Sequence, residues 1–242
     1  MNACIDFGNT EGKIGLFQNS KLLEIIPISV SSEVIGILQS KQVKNIIICN
    51  VGKEQDSFVQ ELEMYFSVFQ LTHETPTPII NNYASPKTLG MDRLAGIVGV
   101  KSLFPNEASL VIDLGTCITY DFVSEDSRYS GGIISPGMRM RAKAMSEFTA
   151  SLPMVENFDS TDLVGDSTQA ALQSGVVNGV KHELESTINA YKDRFGIFNT
   201  VFCGGDAVFF ESQLKAHIFV RKEIVMLGLD RILTELTTNK TT

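Results

Sequence analysis

No apolar run in this 242-residue chain approaches the roughly 18 residues needed to cross a bilayer, so no membrane anchor is expected. The N-terminus has no basic stretch followed by an apolar one, and Asp6 interrupts its first apolar segment. Both features argue against a secretory signal. Cysteine is scarce: Cys4, Cys49, Cys117 and Cys203 lie far apart, and none forms a C-x-x-C pair. The three histidines, His73, His182 and His217, do not gather with them, so a zinc site has little support. The thiols read as small buried hydrophobes, as expected in a reducing compartment. Basic residues are outnumbered, 20 against 28 acidic, for a net charge of −8. That balance argues against a broad phosphate-neutralising surface, and nucleic acid is not an expected partner. The G-x-x-x-x-G-K-[ST] loop is missing, as is a G-x-G-x-x-G after a strand, so neither common phosphate grip is available. With 43% hydrophobic and 20% charged residues there is material for a real core. The expectation is a soluble, cytoplasmic globule of one large domain or two small ones.

The chain reads as two passes through one pattern. Asn2 to Phe7, Lys13 to Phe17 and Lys21 to Ile28 read as strands, and Ser31 to Gln39 as a helix capped by Ser31 or Ser32. Asn45 to Cys49 is an all-apolar run typical of a buried parallel strand. Gln55 to Phe69 carries Phe58, Leu62, Tyr65, Phe66 and Phe69 at helical spacing. A loop, Thr75 to Leu89, precedes a helix over Met91 to Leu103. The pattern then restarts with strands at Ser109 to Asp113, Cys117 to Val123 and Tyr129 to Ile134. A helix over Met138 to Phe148 follows, then a long helix capped at Ser167-Thr168. A strand at Thr200 to Cys203, a Gly-Gly turn and a helix from Ile224 to Leu236 complete the half. The repeated order suggests a duplication, with lobes at 1–108 and 109–242.

The sharpest repeat is Asp6-Phe7-Gly8-Asn9-Thr10 against Asp113-Leu114-Gly115-Thr116. Each places an acid at the end of an apolar strand, then a glycine, then hydroxyl or amide side chains. Asp-x-Gly turns are also common in unrelated proteins. A Gly- and Thr-bearing turn can aim backbone N–H groups and a hydroxyl at a phosphate. The acid cannot hold phosphate itself, but it can bind a metal that bridges phosphate oxygens. On this reading Asp6 and Asp113 face one another across a central cleft. Lys13 either reaches a terminal phosphate or keeps a surface soluble. Gly131-Gly132 to Pro136-Gly137 reads as a tight turn with a Pro-started helix, or as a helix N-terminus aimed at a ligand. Gly204-Gly205-Asp206-Ala207 offers room for a flat ring, assigned to adenosine, or simply caps a helix through Asp206. Gly90-Met91-Asp92-Arg93 opens a helix. Asp92 is either a first-turn acid favoured by the helix dipole or a proton acceptor, and Arg93 could hold a carboxylate. Gly175 and Gly179, four apart on the long helix, are either tolerated glycines or a site of close helix approach at a subunit boundary.

These motifs, in this order, resemble the type III pantothenate kinases. That family belongs to the superfamily of acetate and sugar kinases, actin and heat-shock-chaperone ATPases. The likeness rests on Asp6-x-Gly-Asn-Thr10 with Lys13, Tyr83 before Gly90-x-Asp92-Arg93, and Asp113-x-Gly-Thr116-x-x-Thr119-x-Asp121. Gly131-Gly132 to Pro136-Gly137, Leu152-Pro153, Thr168 to Gly175, and Gly204 to Ala207 continue it. The resemblance implies an α/β, duplicated actin-like (ribonuclease H-like) fold, with two lobes that each carry a mixed sheet flanked by helices. It implies ATP-dependent phosphorylation of pantothenate to 4'-phosphopantothenate, the first step of coenzyme A biosynthesis, with Mg2+ and a monovalent cation (K+ or NH4+). It assigns Asp6, Phe7, Gly8, Asn9, Thr10, Glu11, Gly12, Lys13 and Thr116 to ATP. Tyr83, Gly90, Met91, Asp92, Arg93 and Thr168 fall to pantothenate, Asp92 to the catalytic proton acceptor, and Asp113 to the monovalent cation. It also implies a homodimer. Departures are Glu11 where a basic residue is frequent, Cys117 where alanine is common, and Cys203 where threonine is usual. A sugar or acetate kinase is a second reading. A third is a regulator like the Bvg accessory factors, nucleotide-binding but without kinase activity.

Overall fold

The computed structural model describes residues 1–8, 12–28, 31–49, 55–159 and 162–238. Asn9, Thr10 and Glu11 lie outside the described residues, and the expected caps Ser31 and Ser32 lie outside the described side chains.

β1 (Asn2–Phe7), β2 (Gly12–Gln18) and β3 (Lys21–Ile28) form an antiparallel meander, as their alternating turn and apolar signals imply. α1 (Ser31–Ser40) carries the chain across to β4 (Asn45–Cys49), which pairs parallel with β1. Ile46, Ile47, Ile48 and Cys49 are all buried, because a strand covered on both faces has no polar side to alternate. α2 (Asp56–Glu63) buries Phe58, Val59 and Leu62. The helix expected over Gln55 to Phe69 instead spans only Asp56–Glu63, and Ser67–Gln70 is β5, parallel to β4. Val68 and Phe69 find more stabilisation from ladder hydrogen bonds opposite Ile46 and Ile47 than a further helical turn would supply. Pairing overrides the local spacing.

The proline-bearing segment is more ordered than a plain loop. β6 (Ile80–Asn81) pairs with a later strand, and a 3-10 turn spans Pro86–Thr88. α3 (Met91–Leu103) follows. Then come β7 (Ser109–Leu114), β8 (Cys117–Val123), β9 (Arg128–Pro136) and α4 (Met138–Phe148). α5 (Thr168–Phe195) is capped by Ser167, whose Oγ accepts from the Ala170 N–H at 3.2 Å. β10 (Asn199–Cys203), α6 (Ala207–Glu211), β11 (Phe219–Val220) and α7 (Ile224–Thr238) close the chain. The strand expected over Tyr129 to Ile134 runs on to Pro136, so the alternative of a tight turn with a Pro-started helix does not hold, and Gly137 is the N-terminal flank of α4.

One sheet has the order β3-β2-β1-β4-β5 and the other β11-β10-β7-β8-β9-β6. Without the added β6, the second sheet places its third, second, first, fourth and fifth strands in the order of the first. The repeat seen in the two Asp-x-Gly turns is therefore a repeat of whole sheet topology.

The chain packs as two compact units. The first comprises Met1–Ser109, Phe122–Gly131 and Glu223–Thr242, and the second Leu110–Asp121 and Gly132–Lys222. In the first, α1 and α2 cover the β1–β5 sheet over a core of Ile5, Ile14, Leu16, Leu38, Ile46 and Leu62. α7 returns from the far end of the sequence to pack on α3 and β1. In the second, α4 packs on α5, and α6 packs beside β10 and β11.

Candidate active site

Within the first unit the sheet register lines up three functional side chains. Asp6 on β1 is the direct partner of Lys13 on β2 and of Cys49 on β4. Directly paired residues project from the same face, so Lys13, Asp6 and Cys49 form a row at the strand ends. The Cys49 thiol donates to Asp6 Oδ1 at 3.1 Å. Burial first, then the charges of Asp6 and Asp92, push this thiol well above its ordinary 9.0, so it stays a protonated donor. Both carboxylates therefore act on one buried sulfur. Asp6 and Asp92, some 86 residues apart in sequence, are brought to the same end of the unit.

Asp92 stands in the first turn of α3. Its Oδ1 accepts from the Arg93 N–H at 2.8 Å, satisfying a donor that the helix start leaves open. Gly90 flanks the helix, and a Cβ there would lie 2.5 Å from Asp92 Oδ1, so only glycine leaves the carboxylate this position. Arg93 places its guanidinium carbon 5.7 Å from the centre of the Tyr83 ring. The structure thus gathers Asp6, Lys13, Asp92, Arg93 and Tyr83 in one unit. Phe7 makes an edge contact with Phe58, and Gly8 is exposed just past the end of β1.

The second unit builds its own turn. Thr116 is exposed at its tip, the Gly115 N–H donates to the Cys117 carbonyl at 3.1 Å, and the Gly137 N–H donates to the Thr116 carbonyl at 3.0 Å. Gly204 adopts φ +85°, and a Cβ there would lie 2.5 Å from both Asp113 Oδ1 and the Leu114 carbonyl. The missing side chain lets the Gly204 backbone pack directly against Asp113 and Leu114, and the Asp206 N–H fastens that contact by donating to Leu114 O at 3.1 Å. The glycine motifs at 113–116, 131–137 and 204–207 therefore meet at one turn. Asp206 flanks α6 but makes no side-chain cap; its carboxylate faces Arg139 at 3.6 Å, a correction to the capping expectation. Burial raises the Asp206 carboxyl above its ordinary value, partly offset by Arg139. Thr168 is the exposed first residue of α5. Among the described residues, no three of His, Cys, Asp and Glu gather as a divalent metal centre would need.

Sequence reasoning missed Cys49 and Tyr129. Cys49 was legible only as the end of an apolar run, since its bond to Asp6 depends on the β1–β4 register. Tyr129 stacks on Tyr83, with ring centres 6.1 Å apart and planes 13° from parallel. A single aromatic at the start of a strand carries no sign of that.

A family model for type III pantothenate kinase matches residues 3–190. The chain belongs to that family. A type III pantothenate kinase of Phocaeicola vulgatus is 40% identical over 237 residues, covering 97% of this chain and 98% of its own. That of Cytophaga hutchinsonii is 40% identical over 233 residues, covering 96% and 98%. Among solved structures, a protein described as a candidate Baf family transcriptional activator from Campylobacter jejuni superposes with a TM-score of 0.64. It shares 21% identity and covers 98% of this chain and 99% of its own. The activator of 2-hydroxyisocaproyl-CoA dehydratase from Clostridium difficile, with bound ADPNP, has a TM-score of 0.57 at 14% identity, covering 99% and 96%. A ROK hexokinase from Thermus thermophilus has a TM-score of 0.51 at 14% identity, covering 97% and 99%. At these identities the structural likeness speaks to the fold, which is the duplicated actin-like fold. Among the described residues, no helix is long and apolar enough to cross a membrane.

Proposed function

We propose that the chain transfers the terminal phosphoryl group of ATP to the primary hydroxyl of pantothenate, giving 4'-phosphopantothenate, the first step towards coenzyme A in the cytoplasm. The observation that carries this is the first unit's cluster, with Asp92 beside Arg93 and Tyr83 at the same end of the unit as Asp6. One side chain there can take a hydroxyl proton while its neighbour holds a carboxylate, which is the pair of functions that pantothenate presents.

In this reading Asp92 aligns the hydroxyl and accepts its proton, and Arg93, Tyr83, Gly90, Met91 and Thr168 hold the acceptor. Residues 6–13 and Thr116 hold the phosphates, Lys13 among them as the cation, and the Gly204-Gly205 turn takes the adenosine part. When bound, Mg2+–ATP supplies the phosphoryl group and neutralises its charge. Phosphoryl transfer asks mainly for positioning and charge stabilisation, which this set of residues offers. Asp113 is proposed to hold a monovalent cation, K+ or NH4+. The lobes 1–108 and 109–242 are proposed as the two copies of the duplication. A homodimer is proposed through α5, where a Cβ at Gly175 or Gly179 would meet nothing within 4 Å, leaving the backbone open to a close neighbour.

The test is a coupled ADP-release assay with pantothenate, in potassium and then in sodium salts, on the wild type and Asp92→Asn. The variant's side chain still accepts from the Arg93 N–H, so it should fold and bind ADP. A lost general base should lower turnover by about 10²–10⁴. Near-normal turnover in that variant would remove Asp92 from its role. Wild-type ADP release that ignores pantothenate would remove the function itself.

A further inference from the structure

Tyr83 is fixed by a single rung of the second sheet. β6 and β9 pair so that Asn81 lies opposite Tyr129. From that rung the Asn81 side chain accepts from the Tyr83 N–H at 3.0 Å, while the Tyr129 ring stacks on the Tyr83 ring. The Asn82 N–H donates to the Tyr129 carbonyl at 2.8 Å, so the chain is tied on both sides of the rung. Two residues further along β9, Gly131 has φ +117°, a conformation that side chains rarely adopt. A Cβ there would lie 3.0 Å from Tyr83 Cε2 and 3.1 Å from its Cδ2. The Tyr83 ring therefore occupies space that any other residue at 131 would contest, and it presents its π-face to Arg93.

We infer that Tyr129 is a positioning residue: with the bare backbone at Gly131 it sets the plane of Tyr83, and through it the place of the Arg93 guanidinium, tuning the hold on the acceptor's carboxylate. Tyr129 is completely buried and cannot touch a substrate itself. This rests on the reading of Tyr83 and Arg93 as acceptor-binding residues. A ring that merely filled the core would, when removed, lower the folded fraction and with it kcat, leaving both KM values alone. A ring that sets Tyr83 changes one KM.

Three variants separate these roles: Gly131→Ala, Tyr129→Leu and Tyr129→Phe. Gly131→Ala and Tyr129→Leu should raise KM for pantothenate by about five- to ten-fold, the scale of a lost stacking and cation–π arrangement. KM for ATP and kcat should stay within about two-fold, and Tyr129→Phe, which keeps the ring, should restore pantothenate KM. The chain has five tyrosines and no tryptophan, so its near-ultraviolet circular dichroism has a strong tyrosine component. Gly131→Ala keeps all five and should still change that signal. If Tyr129→Leu fails to fold, the other two variants decide. An unchanged pantothenate KM in Gly131→Ala, or a parallel fall in every kinetic parameter, overturns the inference while leaving the kinase reading intact. A wild type that does not phosphorylate pantothenate overturns both.

Discussion

Lys101 is a cation whose charge is used up inside the protein. It is buried near the end of α3, and its Nζ donates to the carbonyls of Glu107 at 3.1 Å, Ser124 at 3.3 Å and Glu125 at 3.0 Å. An ammonium group has three protons, and all three are matched. Burial pulls its pKa below the ordinary 10.5, while Asp126, Glu107 and Glu125 hold it up. The residue ties the end of the helix that carries Asp92 to the turn between β8 and β9. Lys101→Met keeps much of the volume but leaves three carbonyls short of a donor. Urea denaturation should show a loss of about 2–3 kcal/mol. A change below about 0.5 kcal/mol would mean that water replaces the ammonium without cost.

At the scale of elements, α3 and α7 approach each other backbone to backbone. A Cβ at Gly228 would lie 1.8 Å from the Ala95 carbonyl, and one at Gly99 would lie 2.1 Å from the Ile224 carbonyl. Backbone meets backbone here, so no side-chain rotation relieves the clash. Gly228→Ala should cost about 3 kcal/mol or more, at the upper end of overpacking. Gly36 on α1 has nothing within 4 Å of its missing Cβ. Gly36→Ala should therefore gain up to about 1 kcal/mol from helix propensity alone. Paired thermal melts of the two variants test the contrast, and equal shifts would refute the packing claim. Elements with a long internal signal were legible in the sequence: α3 over Met91–Leu103, α4 over Met138–Phe148, and the first three strands. β5, β6 and β11 were not, since two to four residues define a strand only by what they pair with. The site divides the same way. Asp6, Asp92 and Arg93 sit in motifs that a sequence displays, whereas Cys49 and Tyr129 acquire their roles from register across strands.

For the whole molecule, the pH dependence of stability is a sum over groups that pull in opposite directions. Glu183 on α5 accepts from Ser135 and Arg141 and, at 2.9 Å, from the Tyr120 hydroxyl. Burial pushes its carboxyl up, but those donors outweigh burial and hold it below the ordinary 4.5. A depressed acid contributes stability that is present above its unfolded value and lost as pH falls through its folded one. Asp230 on α7 is the reverse. Burial raises it above the ordinary 3.8, only partly countered by hydrogen bonds with Asn2, at 3.3 Å, and Ser20. Asp206, raised mainly by burial, adds in the same direction. Raised acids contribute stability that is present below their unfolded value and lost as pH rises through the folded one. Acidifying from neutrality should first stabilise the protein, as Asp230 and Asp206 protonate. It should then destabilise it as Glu183 loses its charge, so the maximum falls on the acid side of neutral. Each group can tilt the curve by at most about 1.4 kcal/mol per pH unit. In Asp230→Asn the new amide oxygen can still accept from Asn2 but carries no charge to bury. That variant should melt higher than the wild type at neutral pH, and its advantage should disappear in acid, where the wild-type carboxyl is protonated. Glu183→Gln should flatten the acid limb and leave the neutral limb in place. A wild-type melting temperature that rises steadily from acid to neutral would show that burial of Asp230 and Asp206 does not govern the curve.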